Sequence, residues 1–292
     1  MTRTTPAVMT MLALMGLGPA AVRAETTLCT VITSLPATIS SPGVYCLESD
    51  FAYTSANVNA ITIAANNVTL DLNAHKIGDL GAGTATGAVG VFAINQQNIT
   101  IKNGTIRGFE LGIFITDGTN PPATSQGHLI EDVRLDQNRY EAINVRGNGC
   151  IIRNNQVVAT GGTTSFANPD GIGIIVQGAG NRVLDNDVSG TTSSGTGNAF
   201  GIESTGGDGL VVAGNRVSGV VAPTGLEYAI NITVSPHATI RDNTLSNAAI
   251  PTTATQSVGL SMDDATDVFT GNVSIGFNTP YSGGTNATGT NF

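Results

Sequence analysis

Short apolar runs, each broken by an asparagine at a fixed place, fill the second half of the chain. "IIRNNQVV" at residues 151–158 returns as "VLDNDVSG", "VVAGNRVSG", "TIRDNTLSN" and "VFTGNVSIG". The asparagines fall at Asn155, Asn186, Asn215, Asn243 and Asn272, with steps of 31, 29, 28 and 29 residues. A second phrase, "AINV", "GIGI", "GIES", "AINI" and "GLSM", keeps the same beat. Its apolar positions Ile143, Ile172, Ile202, Ile230 and Leu260 lie 29, 30, 28 and 30 residues apart, with earlier members at Ile61, Val91 and Ile113. The runs are short and rich in Ile and Val, which suits strands, and the Gly, Asn, Thr, Ser and Pro between them suit turns.

A period near 29 is shared by ankyrin, leucine-rich and β-solenoid repeats. Ankyrin-type repeats need runs of helix formers and leucine-rich repeats need several leucines per period, and the chain has neither. The pattern predicts short strands wound into coils that stack in parallel at about 4.8 Å. In such a stack the asparagines become a column whose amides bond to one another, as in other cross-strand ladders. Asparagine tolerates left-handed backbone, so each is expected to make the bend itself. Variable insertions at 79–89, 159–169, 190–200, 220–227 and 247–257 all separate the first phrase from the second. Coils in register would carry them on one side as a wall beside a strand face.

The phrases "NNVTLDLNAHKI" and "NITIKNGTIRG" resemble the first coils of right-handed parallel β-helix proteins of the pectate-lyase-like superfamily. The stretch "TVITSLPATISSPGVYCLESDF" resembles the cap that precedes them, and the likeness covers about residues 59–276. It implies an all-β, single-stranded right-handed parallel β-helix of about 8–9 coils with a disulfide-stapled N-terminal cap. The division expected is a signal peptide at 1–24, a cap at 25–58, the β-helix at 59–276 and a C-terminal tail or plug at 277–292. This superfamily hosts lyases, hydrolases, epimerases, adhesins and maturation factors, so the fold does not choose the activity.

Composition narrows the setting. The start of the chain has Arg3, an apolar stretch from about Ala7 to Leu17, and small residues up to Ala24, the form of a secretory signal peptide cut before Glu25. That stretch is too short to cross a bilayer core of ~30 Å, so a secreted or periplasmic protein without a membrane span is expected. Without Arg3 and Arg23, ten basic residues face twenty-one acidic ones, which makes nucleic acid an unfit partner. Six of the ten lie between Lys102 and Arg153, however, which allows a local basic strip. Cys29 and Cys46 flank a stretch able to fold back as a hairpin, and in an exported protein they are expected to pair. Cys150 heads an apolar run and reads as a buried small hydrophobe.

The column before the Gly or Ala of the second phrase reads Asn59, Val89, Leu111, Glu141, Asp170, Phe200, Tyr228 and Val258. Glu141 and Asp170, on consecutive coils, would then sit about 5 Å apart, the separation used by retaining glycosidases. Arg146 adds a cation, completing a candidate catalytic set. Arg139, Tyr140, Asn144, Glu203 and Tyr228 are the candidate substrate-binding residues. "NPDG" at 168–171 resembles a segment of polygalacturonases with proline in place of threonine, but the other segments of that family are absent. His75, His128 and His237 share no column, so no metal and no cofactor is expected. Trp is absent and aromatics make up 5% of the chain, little for stacking on sugars. The expected function is an exported protein that binds a polysaccharide or surface glycan and, if an enzyme, cleaves it by lyase or hydrolase chemistry. The alternative is a non-catalytic envelope or surface structural protein, adhesin or maturation factor.

Overall fold

The computed structural model describes residues 28–247, 256–287 and 291. The signal peptide expected at 1–24 lies outside the described residues, as does most of the insertion at 247–257. Every pairing between named strands is parallel, and the strands form one sheet of ten and one of eighteen. The chain is an all-β parallel solenoid of about 8 turns, and among the described residues its only helical piece is a 3₁₀ turn at Leu80–Ala82. No helix among them is long and apolar enough to cross a membrane.

The ten-stranded sheet is built from the second phrase. Ile61, Val91, Ile113, Ile143, Ile174, Ile202, Ile230 and Leu260 stack in register, all with 0% exposure, and form the spine of the core. Ile174, not Ile172, is the partner of Ile143, a two-residue correction with consequences for the site. Beside this spine runs a column of small residues, Gly90, Gly112, Ala142, Gly173, Gly201, Ala229 and Gly259. At the glycines of this column not even a Cβ has room: one on Gly201 would lie 2.6 Å from the Ala229 carbonyl oxygen and 2.3 Å from Val217 Cγ1.

The asparagines form the expected ladder. Each Nδ2 donates to the next Oδ1, from Asn155 to Asn186, Asn215, Asn243 and Asn272, at 2.9–3.0 Å. Each Oδ1 also accepts the backbone N–H of the asparagine below it. The bend itself is made one residue earlier. Asn154, Asp185, Gly214, Asp242 and Gly271 carry the positive φ, between 54° and 68°, while the ladder asparagines do not. The left-handed residue turns the chain, and the asparagine behind it satisfies the backbone groups that the turn would otherwise bury unpaired. Two earlier coils lack the asparagine: strands Thr100–Arg107 and Leu129–Asp136 run on without a break, and Asn155 Oδ1 caps the Val133 N–H.

Winding begins before residue 59. Strand Thr30–Val31 pairs in parallel with Gly43–Cys46, while Ala37–Ile39 between them joins the other sheet, so this stretch is a coil and not an antiparallel hairpin. The Cys29–Cys46 disulfide closes that coil with a Cα–Cα distance of 5.7 Å. At the other end Thr279–Ser282 and Thr285–Asn286 continue both sheets. Reducing the disulfide is expected to remove about 3 kcal/mol of stability, the loop-closure entropy for a ring of this size. The loss should fall on the first coils, and hydrogen exchange with and without reductant reads it as faster exchange near Val31 and Tyr45 than near Ile202.

Cys150 is fully buried, and burial pushes its thiol up to about 11. His128, also buried, is pushed down to about 4 and meets Ser125 Oγ at 2.9 Å. Both are packing residues within a corner of the coil.

Candidate functional site

The outer surface of the ten-stranded sheet carries two columns three residues apart. One runs Val89, Leu111, Glu141, Ile172, Phe200, Tyr228 and Val258, and the other Phe92, Phe114, Asn144, Ile175, Glu203, Asn231 and Ser261. Glu141 thus opposes Ile172, and the expected register pair with Asp170 does not form. Asp170 lies two residues before Ile172, where the wall segment meets the strand, and its Oδ1 accepts the Asn198 N–H at 2.6 Å. The pair was misplaced because the winding from Glu141 is two residues longer than the repeat, and "GIGI" offers an isoleucine at either register.

The wall is real on this side of the sheet. Segments 79–88 and 159–170 meet across an intervening coil: the Thr164 N–H donates to Thr84 O at 2.9 Å, and the two threonine hydroxyls lie 3.1 Å apart. Glu110 and Tyr140 touch this wall, through Ser165 and Phe166 respectively.

Three carboxyl groups here have lost water. Burial pushes Glu203 up to about 7, against a hydrogen bond from Asn231, and the charges of Asp170 and Glu141 add to the rise. Burial also raises Glu141, which is 6% exposed, while a 2.7 Å hydrogen bond from Asn144 Nδ2 and the charge of Arg146 oppose it. Glu110 is raised by burial. The Tyr140 hydroxyl is pushed up to about 12 by burial, with further contributions from the charges of Glu141, Asp170, Glu203 and Glu110. Asn144, 2% exposed, keeps an Oδ1 with no hydrogen-bond partner among the described residues.

Arg146 ends the strand Glu141–Arg146, its guanidinium 5.9 Å from the ring centroid of Phe114. Arg139 is placed elsewhere: it stands at the corner before that strand, and its charge acts on Asp79, a fully buried carboxyl that burial raises to about 6. Six of the fourteen aromatics meet at this face. Phe200 and Tyr228 stack with centroids 5.5 Å apart and planes 3° from parallel, and Tyr140 meets Phe166 edge-on at 5.2 Å. Phe92 and Phe114 make a third pair at 5.7 Å. Ile172, Ile175, Phe200 and Tyr228 form an apolar cluster apart from the core.

The structure therefore brings together Glu141, Asp170, Tyr140, Asn144, Glu203, Arg146 and Tyr228, and leaves Arg139 outside. Sequence reasoning ranked Glu203 as a contact residue and passed over Glu110 and Phe166. The spacing of 31 between Asn155 and Asn186 marks the longer winding and would have set Ile172, in place of Asp170, in the column of Glu141. Such a cluster can hold a proton near neutrality on Glu203, accept one at Asp170 and offer an apolar edge at Tyr228 to a ligand. No group of three or more His, Cys, Asp or Glu among the described residues is arranged to hold a metal ion.

A family model described as "Right handed beta helix region" matches residues 89–291. No curated protein matches the sequence. Among solved structures, a double mutant of the periplasmic alginate epimerase AlgG is similar over 85% of this chain and 68% of its own, with 12% identity and a TM-score of 0.51. The A-module of the Azotobacter vinelandii mannuronan C-5 epimerase AlgE6 aligns over 85% and 80% of the two chains, at 14% identity and a TM-score of 0.38. A tailspike protein mutant of E. coli bacteriophage HK620, in complex with a pentasaccharide, aligns over 90% and 57%, at 12% identity and a TM-score of 0.42. At these identities the likeness is one of fold.

Proposed function

We propose, for a chain that belongs to the right-handed β-helix family, that the outer face of its ten-stranded sheet binds an extracellular or envelope polysaccharide and cleaves it by acid–base chemistry. The observation that carries this is Glu203, a carboxyl raised to about 7 on a rigid strand beside a stacked aromatic pair. A group with that value holds its proton at pH 6 and yields it readily, as a general acid must. In the reaction Glu203 gives its proton to the glycosidic oxygen of the leaving sugar. Water attacks the anomeric carbon and passes its proton to Asp170. Glu141 is too enclosed to reach the reacting atoms and instead fixes Asn144 through their hydrogen bond. The occurrence of the fold in a periplasmic alginate epimerase is consistent with a glycan ligand. The export signal read at the N-terminus supports the same setting.

The aromatic pair supplies an apolar contact through its ring edges, Tyr228 being the more exposed of the two, against which the C–H groups of a pyranose pack. Tyr228→Ala is expected to weaken glycan binding about 5- to 10-fold, the loss of ~1–1.5 kcal/mol of apolar contact. Calorimetric titration of the wild type and the variant with oligosaccharides of several classes checks this. If no glycan of any class binds the wild-type protein, the reading is wrong. Binding without release of reducing ends would make the protein a non-catalytic module.

A further inference from the structure

The charges of this molecule are sorted between its two sheets. Of the ten basic residues after Arg23, eight stand on strands of the eighteen-stranded sheet: Lys76, Lys102, Arg107, Arg134, Arg153, Arg182, Arg216 and Arg241. Most of these are paired there with acids, as Arg107 with Asp136, Arg153 with Glu131 and Arg216 with Asp187. Of the basic strip between Lys102 and Arg153, Lys102, Arg107, Arg134 and Arg153 thus belong to a salt-bridged surface away from the site, while Arg139 and Arg146 do not. Arg139 acts on Asp79, which leaves Arg146 as the single cation on the strands of the ten-stranded sheet, and around it at the site stand the four acids Glu110, Glu141, Asp170 and Glu203.

A cleft of about 700 Å³ opens where the strands of that sheet end, on the side away from the wall. It is lined by Asn120, Pro121, Pro122, Asn148, Gln177 and Val234, among others; its one charged residue is Asp208, which pairs with His237, and it contains no Lys or Arg. Gln177 is the register partner of Arg146, so the cleft continues the site along the strand. Its amides are held in place: Gln177 Nε2 donates to Asn120 Oδ1 at 3.0 Å, and Asn148 Nδ2 to Pro122 O at 2.9 Å. Val234, 69% exposed, and the two prolines supply an apolar edge.

We infer that this cleft is a second sugar subsite, and that the face and cleft together take a neutral glycan rather than a polyuronate. The inference rests on the glycan reading above and deepens it. A uronate brings one carboxylate per sugar, and holding a run of them requires a cation for each or a potential of the right sign. One arginine among four acids offers neither. Hydroxyls and N-acetyl groups need paired donors and acceptors, which fixed Asn and Gln amides provide without charge, and the C–H groups of the sugar need apolar contacts. The substrate class also decides the reaction. Elimination and C5 epimerisation remove a C5 proton made acidic by the adjoining carboxylate, which a neutral sugar lacks, so the chemistry left to Glu203 and Asp170 is hydrolysis.

The test is calorimetric titration of the purified protein at pH 7 with neutral tetrasaccharides (gluco-, manno-, galacto- and N-acetylglucosamine series) and with tetra-uronates from alginate and pectin. The expected result is binding of at least one neutral series about tenfold or more tighter than either uronate, unweakened between 50 and 500 mM salt. Gln177→Ala should lower tetrasaccharide affinity about fivefold and leave disaccharide affinity unchanged, while circular dichroism confirms the fold. Uronates binding as tightly as the best neutral series would overturn this inference while sparing the glycan reading. Failure of both classes to bind would remove that reading and this one with it. Gln177→Ala without effect on the tetrasaccharide would remove the cleft as a subsite.

Discussion

Replacing Asn215 with alanine is expected to lower the free energy of unfolding by about 3–5 kcal/mol. Asn215 is 1% exposed and stands mid-ladder. Its Oδ1 accepts the N–H and Nδ2 of Asn186, and its Nδ2 donates to Val183 O, Ala213 O and Asn243 Oδ1. Alanine removes all of these at once, in a place too enclosed for water to replace them. Each buried donor or acceptor left alone costs about 1–3 kcal/mol, and partial relaxation keeps the total below their sum. Aspartate is no remedy, because it would turn a carboxylate oxygen toward the carbonyls that Nδ2 now serves. Urea unfolding followed by circular dichroism measures the change, with Thr244→Ala as the comparison. Thr244 is exposed and adjoins the ladder residue Asn243, so its loss should cost about 0.5 kcal/mol or less. Equal losses for the two variants would show that the ladder contributes nothing beyond an ordinary surface position.

Glu203→Gln is expected to reduce glycan cleavage by about 10²–10⁴-fold while leaving binding within about twofold. Glutamine keeps the shape and the hydrogen bond to Asn231 but has no proton to give. The wild-type rate should fall as pH rises through about 7, where the acid ionises, and that limb should be absent from any residual activity of the variant. Stability should follow the same group. A carboxyl raised from 4.5 to about 7 in the folded protein favours the folded state fully below 4.5, and that contribution is lost as pH climbs through 7. The groups acting on it are Asp170 and Glu141, which raise it further, and Asn231, which lowers it. The wild type should therefore melt at a higher temperature at pH 5 than at pH 8, and Glu203→Gln should shrink that difference. A variant with wild-type turnover would move the chemistry away from this residue.

The architecture was legible in the sequence because a parallel solenoid repeats its physics once per winding. An asparagine every 28–31 residues, and an isoleucine column beside it, can be satisfied together only if the windings stack. The site was less legible, for a reason tied to the same regularity. A pleated strand turns its side chains to alternate faces, so a slip of two residues keeps every residue on its own face and leaves the apolar pattern unbroken. "GIGI" hid such a slip, and Asp170 was set in the column that Ile172 occupies. The bend residue was misassigned for a related reason, since Asn154 and Asn155 are both asparagine and only the later coils, with Gly214 and Gly271 before the ladder, separate the left-handed position from the amide. Composition also misled about aromatics. Their number is small, yet Phe92, Phe114, Tyr140, Phe166, Phe200 and Tyr228 meet on one face, because residues far apart in sequence share columns there.

The central claim is that the outer face of the ten-stranded sheet, around Glu203, is where a sugar chain is held. A crystal structure of Glu203→Gln soaked with the best-binding neutral oligosaccharide tests it directly. The account predicts a pyranose ring against the exposed edge of Tyr228 beside Phe200, a glycosidic oxygen within hydrogen-bond reach of the side chain at position 203, and the sugar chain extending toward Gln177. Sugar density lying instead along the eighteen-stranded sheet, with the Phe200–Tyr228 face bare, would contradict it.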